Sequence, residues 1–518
     1  MKRNHQLKKL LCYIMLLCTL CACQSEPASV AEEPMTTTDA NVDVSKISIG
    51  AFGTENENPL LIRTNYNEQL NLLIYDSLYI INPKYEAEEN LASGYEIQNG
   101  GYSVNVFLKP NVVFHDGSAL TAHDVKATIQ FIRDNPGYYS YQIRNIKNVT
   151  VKDDLTLQLE LSELTPNLKL QLVFPILCKK ELLNTTDFRL NGTGPYRVAS
   201  QTKGKQIILE KNSSYHKKFA TDIKTIEVSL IPDRETARSL SGSGILDVFY
   251  SAFFDEGLKS VTKYESLKFD YITDEYTFLS LNYQAPLMNE KNFRKALYYA
   301  ISRDEIRDKV FMTHAESAYL PLPPNSWAYN DTKENEQNTE RSKQLLSELG
   351  FSDVDNNNLI EIYEDTTKKE LSLTLLSIDD ATKKSICEQL ILDFKEIGIG
   401  LQVQYVTKEE FELLYQEQLH DLYLITTNIG YDLDLKEFFT GRFSSPVEID
   451  YQKYIEKIAS ADKLELKQPE YMRLCDEFYE NTPHIPLVFL KNTLLTTKKL
   501  GTIQQIYPSH LYYSVLKK

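Results

Sequence analysis

LKPNVVFHDGSALTAHDVKATIQF, residues 108–131, carries two His-Asp pairs, His115-Asp116 and His123-Asp124, separated by a few residues that include a glycine, a serine and a threonine. A metal centre would hold its imidazoles on regular elements, with the second ring nitrogen of each fixed by a partner. Here His115-Asp116-Gly117 reads as a turn at the end of a strand. Thr121 and Asp124 stand three apart, ahead of the apolar positions Val125, Ile129 and Ile132. That is the spacing of a capping box, with the carboxylate also favoured by the helix dipole. The stretch therefore predicts strand, turn and capped helix, with an imidazole on either side of the cap and no reason for the two to converge.

Outward from this stretch, strand-like and helix-like segments alternate without an internal repeat. YSVNVFL (102–108) and LTLQLEL (155–161) alternate on a two-residue period, KQIILEK (205–211) and IKTIEVSLI (223–231) add two strands, and DLYLITTNI (421–429) another. LNLLIYDSLYII (70–81) is an apolar run of the same kind. Helical spacing marks 292–303 (Phe293, Leu297, Ala300, Ile301), 340–349 and 383–397 (Ile386, Leu390, Phe394, Ile397). Turn signals separate the pieces at Asn99-Gly100-Gly101, Asp116-Gly117, Gly192-Thr193-Gly194-Pro195 and Leu322-Pro323-Pro324-Asn325. The GTGP run lacks the downstream lysine of a phosphate loop and leads into a strand, so it reads as a tight turn. The mixture predicts an α/β protein with more than one sheet.

The N-terminus opens with Lys2, Arg3, Lys8 and Lys9 and runs apolar from Leu10 to Ala22, a secretory pattern too short to span a bilayer. Leu20-Cys21-Ala22-Cys23 resembles the bacterial lipoprotein box. Leu11, Leu17 and Leu20 are too large to precede a modified cysteine, which leaves Cys23 as the lipidation site. Residues 1–22 are then a signal peptide and 23–44 a polar, lipid-anchored tether. Removing the signal takes four basic residues and no acidic one, leaving 52 basic against 72 acidic and a mature charge of −20. Such a charge argues against nucleic-acid and anionic-lipid surfaces. Cys178, Cys387 and Cys475 remain, far apart and without metal spacing, and read as buried small hydrophobes.

The opening stretch resembles the signature of the family 5 extracellular solute-binding proteins, the oligopeptide- and dipeptide-binding lipoproteins of ABC importers. NGTGPYRV (191–198), LEKNSSYH (209–216), FRKALYYAISRDEI (293–306) and PPNSW (323–327) are similar to further elements of that family, in its order, as is IYDSLYIINPKYEAEENLASGYEIQNGGYSVNVFL (74–108) just upstream. The resemblance implies a two-lobed clamp of the periplasmic-binding-protein type with an extra α/β domain on the first lobe. Lobe one would comprise 45–81, 190–283 and 495–518, the extra domain 82–189, and lobe two 284–494. Two crossings, near Asn282–Pro286 and Val488–Thr493, would form the hinge. It further implies a peptide or other small solute as ligand, ABC importer permease subunits as partners, a monomer, no cofactor, and the extracytoplasmic face of the cell membrane.

Peptide-binding relatives carry, after a strand, a segment like Trp-x-Ala-Asp-Tyr-x-Asp-Pro whose first aspartate pairs with the peptide's ammonium. Here the strand leads into NIGYDLDLKEFF (428–439), with Asn428 at the tryptophan, Gly430 at the alanine, Tyr431 at the aspartate and Asp432 at the tyrosine. Either Asp432 takes the amine after a one-residue shift, or the amine site is absent. The candidate ligand-binding residues are Arg63, Asn65, Thr427, Asn428, Gly430, Tyr431 and Asp432. DVDNNNLIEIYE (353–364) matches a calcium loop at Asp353, Asp355, Asn357 and Glu364, with Asn358 in place of the turn glycine. A strand follows where a helix should, so it reads as a polar turn and no metal is assigned. The chain has no H-E-x-x-H and no G-x-S-x-G, which sets aside a surface hydrolase. A peptide-sensing lipoprotein not dedicated to uptake needs the same clamp and remains the alternative.

Overall fold

The computed structural model describes residues 44–52, 58–61, 65–183, 188–202, 204–218, 221–252, 266–330, 337–364, 367–443 and 449–517. Arg63 and Cys23 lie outside them, as do the side chains of Asn65 and Glu364. Among the described residues no helix is long and apolar enough to cross a membrane.

The opening stretch folds as its pattern predicts. Ser103–Leu108 is a strand, Val113 and Ala119 bridge across the turn, and the helix Ala122–Asp134 begins after Thr121. Asp124 accepts the Thr121 amide N–H (2.9 Å) and hydroxyl (2.8 Å) on one oxygen and the Lys179 amide on the other (2.8 Å). Val125, Ile129 and Ile132 are buried, each contributing about 1.5–3 kcal/mol. His123 is exposed. His115 instead joins its turn to the GTGP run: its Nε2 meets the Gly194 carbonyl at 3.1 Å and its Nδ1 accepts the Gly192 amide at 3.3 Å. The two imidazoles do not converge. GTGP is a tight turn, because a Cβ at Gly192 would lie 2.0 Å from the Ile74 carbonyl oxygen and one at Gly194 2.6 Å from its carbon.

This stretch belongs to a four-stranded antiparallel sheet ordered Ala92–Gln98, Ser103–Leu108, Thr156–Leu161, Ile146–Asp153. The main sheet has eleven strands. Its continuous path runs Gly400–Val406, Ser372–Ile378, Leu422–Asn428, Ser266–Leu281, Ile485–Thr497, Val248–Ala252, Lys46–Phe52, Thr225–Ile231, Gln206–Lys211, Tyr196–Thr202, with Ala315–Ser317 pairing on Ile485–Thr497. Two long antiparallel strands, Ser266–Leu281 and Ile485–Thr497, thread both halves. Their pairing shifts register between Ile272 and Tyr276. One core gathers Ile49, Val228 and Leu494 with Val106, Ile129 and Leu157 of the small sheet and its helix, and a second gathers Leu279, Phe293, Leu297, Leu375 and Leu390. This is the expected α/β two-lobed architecture.

Buried Arg303 donates to the carbonyls of Pro486 (2.8 Å) and Tyr298 (3.1 Å), and Arg294 to those of Met288 (2.9 Å) and Asn481 (2.6 Å), so the arginines of FRKALYYAISRDEI staple the second half. The apolar run 70–81 is a correction: it holds the end of a helix, Asn65–Ile74, and only a short strand, Tyr79–Ile81. Continuous apolar runs do not separate a buried strand from a buried helix, and packing on both faces decided it. The strand Ser266–Leu281 went unread because Thr273-Asp274-Glu275 breaks its alternation. Cys178, Cys387 and Cys475 are buried, as expected.

Candidate functional site

The strand Leu422–Asn428 pairs with the second half of Ser266–Leu281, Asn428 standing opposite Glu275 and Thr427 opposite Tyr276. The chain then turns at Gly430, whose φ of +79° favours glycine, held by the Ile429 amide on the Asp274 carbonyl (3.0 Å). Beyond the turn, successive side chains face different partners. Tyr431 packs on Tyr85 with centroids 5.6 Å apart and lines a cavity. Asp432 lies behind it, 2% exposed, where Arg144 reaches it at 3.0 Å and Gln171 Nε2 donates at 2.8 Å. Arg144 also pairs with Asp434 at 2.9 Å and lies 3.6 Å from the Tyr141 ring centroid. The Asp432 carbonyl accepts from Asn167 at 2.9 Å. Thus the acid aligned nearest the relatives' amine-binding aspartate is held by this chain's own guanidinium. Lys436–Glu163 and Lys169–Asp462 (2.7 Å) join the same two segments nearby.

The cavity encloses about 130 Å³. Three parts of the chain supply the walls: Glu68 to Ile80 with Pro508 to His510; Tyr138, Gln142 and Val173; and Asp274, Asn428 and Tyr431. Glu68 accepts the Tyr138 hydroxyl at 2.8 Å. Asp274 accepts from Asn428 Nδ2 at 3.1 Å and the Gly430 amide at 3.3 Å. Burial pushes the Glu68 carboxyl up to about 7, the Tyr138 hydrogen bond opposing and Asp274 adding to the rise. Burial raises Asp274 as well, against the hydrogen bond from Asn428. His510 is pushed down to about 4 by burial and is neutral at pH 7. None of the described lining residues is lysine or arginine.

Of the candidate residues, Asn428 and Tyr431 reach this cavity, Asp432 lies behind it, and Thr427 and Gly430 shape the strand end and turn. Glu68, Tyr138, Gln142 and Asp274 were missed. Asp274 had a signal, an acidic pair interrupting an apolar strand; Glu68 is one acid in a polar helix start and had none. The 353–364 loop is a turn. Asp353 accepts the amides of Asn357 (3.1 Å) and Asn358 (2.8 Å), with Asn358 at φ +68°. The third carboxylate near Asp353 and Asp355 is buried Glu361, and the Lys368 ammonium lies 2.8 Å from Asp355 and 2.7 Å from Glu361. The cationic position there is taken by lysine.

The architecture and the cavity between its halves define a two-lobed solute-binding clamp. The pattern of the bacterial extracellular solute-binding proteins, family 5 middle, matches residues 86–449, more than half of the chain, and the protein belongs to that family. The oligopeptide-binding protein AppA of Bacillus subtilis is 25% identical over 484 residues, covering 86% of each chain. The solved structure of AppA with a nonapeptide aligns at a TM-score of 0.59 and 22% identity, over 91% of this chain and 98% of that one. The unliganded open form of the murein tripeptide-binding protein MppA aligns at 0.76 and 17% identity, over 91% and 96%. The family resemblance read from the motifs is thereby borne out.

Proposed function

We propose that this protein is an extracytoplasmic binding lipoprotein that captures a peptide or peptide-like solute between its lobes and delivers it to the permease of an ABC importer. The observation that carries the reading is the cavity walled by all three parts of the clamp, since a site shared between lobes couples ligand binding to closure. The relatives' names support a peptide, from a nonapeptide to a murein tripeptide. The hinge falls where the two long strands change register, Ile272–Tyr276 facing Lys491–Phe489, which is inward of Asn282–Pro286. The second part of lobe one then ends near Ile272–Tyr276 rather than at 283, and the other boundaries stay as given above. Cys23 carries the lipid that holds the tether to the membrane.

One experiment tests both ends of this reading. Protein extracted from cell membranes and examined by native mass spectrometry should begin at Cys23 with added lipid mass. It should also carry a noncovalent solute of peptide mass that exchanges with added peptide. An unlipidated chain would overturn the anchor, and a chain that never takes up peptide would overturn the ligand class.

A further inference from the structure

The interlobe cavity collects carboxylates that accept only neutral donors, from Tyr138, Asn428 and the Gly430 amide, and no described lysine or arginine lines it. Glu68 and Asp274 both line it, and the Asp274 charge adds to the rise in proton affinity of Glu68. The Gln142 amide oxygen, also in the lining, is sequestered from water and accepts from no described residue. Tyr85, which packs on the lining residue Tyr431 and is 0% exposed, has a hydroxyl with no partner among the described residues. Tyr138 and Tyr431 add aromatic rings to the wall. Two half-buried carboxylates with no cation lose part of their hydration uncompensated, and a sequestered amide oxygen with no donor adds to the cost. Native interiors keep such groups where a ligand completes them.

We propose that this cavity receives a cationic group of the solute, an ammonium or guanidinium seated between Glu68 and Asp274, with Gln142 accepting one of its N–H groups and the tyrosine rings on its flanks. This deepens the proposed function and rests on it, since it names the chemistry of the solute held by the same clamp. The donor geometry suits a multiply protonated nitrogen, which satisfies several acceptors at once. The rings contribute through their negative faces. Asp432, the acid that motif alignment favours, is excluded from this role because Arg144 and Gln171 already occupy its carboxylate.

The test measures binding of three probes by calorimetry: Ala-Ala-Arg-Ala, its uncharged counterpart acetyl-Ala-Ala-citrulline-Ala, and agmatine, a guanidinium with no peptide bond. The wild type should bind the arginyl peptide about ten- to hundredfold more tightly than the uncharged one, the range expected of a charge-assisted hydrogen bond. The preference should collapse in Glu68→Gln/Asp274→Asn, whose folding is checked by its melting curve. Equal affinities for the two peptides in the wild type, a comparison that needs no variant, would overturn the cation site and leave the peptide clamp standing. Binding of agmatine alone, lost in the double variant, would support the cation site while removing the peptide reading. Failure of both cationic probes to bind would overturn the cation site.

Discussion

Two acidic sites lie at the junction of the lobes and end in opposite states. At one, Asp432 and Asp434 share Arg144, with Gln171, Asn167 and Tyr451 completing their hydrogen bonds. At the other, Glu68 and Asp274 share a cavity with tyrosines and amides and no described lysine or arginine. Both are shielded from water to some degree, Asp432 fully buried and Glu68 and Asp274 half-buried. The difference is whether the chain supplies its own cation, and that separates a structural tie from a place for a ligand. An internally paired buried ion is expensive to break and has no remaining capacity, while an unpaired one has its most favourable interaction still to make.

The comparison breaks first at Arg144. Arg144→Ala should leave two buried carboxylates unpaired and destabilise the protein by about 3 kcal/mol, the low end for a buried pair because the guanidinium is a quarter exposed. Urea unfolding followed by tyrosine fluorescence measures it. A loss below about 1 kcal/mol would put the pair in the class of surface ion pairs and reopen Asp432 to a ligand.

Binding sharpens the contrast next. Asp432→Asn should change the affinity for Ala-Ala-Arg-Ala by no more than about threefold, whereas Glu68→Gln should weaken it by about tenfold. The reverse order, measured by calorimetry on proteins with matched melting curves, would move the cation to Asp432 as the aligned motif first suggested.

The smallest effect is a pH dependence of stability. The Glu68 carboxyl rises from 4.5 to about 7 on folding, so the folded state holds its proton more tightly than the unfolded chain. Its contribution is fully present below 4.5 and is lost as pH rises through 7. The groups facing it across the cavity are Asp274, Tyr138, Tyr431, Tyr79 and His510; Asp274 is raised in the same direction, and the tyrosines and His510 stay neutral from pH 5 to 8. Glu68→Gln should therefore match the wild type in melting temperature near pH 4 and exceed it by roughly 1–3 °C near pH 8. Equal melting temperatures at both pH values would mean that Glu68 is solvated rather than buried.

Much of the fold was legible because its signals are local. The Thr121 to Asp124 spacing and the apolar stripe Val125, Ile129, Ile132 specify a capped helix within a dozen residues, and the order of the motifs carries the family. The long strand Ser266–Leu281 was not legible, since Thr273-Asp274-Glu275 breaks its period where it passes from one lobe to the other. Asn428 and Tyr431 could be placed at the site by their position after a strand, but Glu68 could not.

By itself, then, the sequence determined the strand-turn-helix, the clamp architecture and the family, all written in short-range periodicity, capping chemistry and motif order. Tertiary structure alone decided which carboxylates are paired with a cation of the chain and which have none among the described residues. Arg144 meets Asp432 across 288 positions of chain, and Glu68 of the helix Asn65–Ile74 lines one cavity with Asp274 of the long strand Ser266–Leu281. A carboxylate looks the same in every sequence, and its role is set by the charge that folding places beside it.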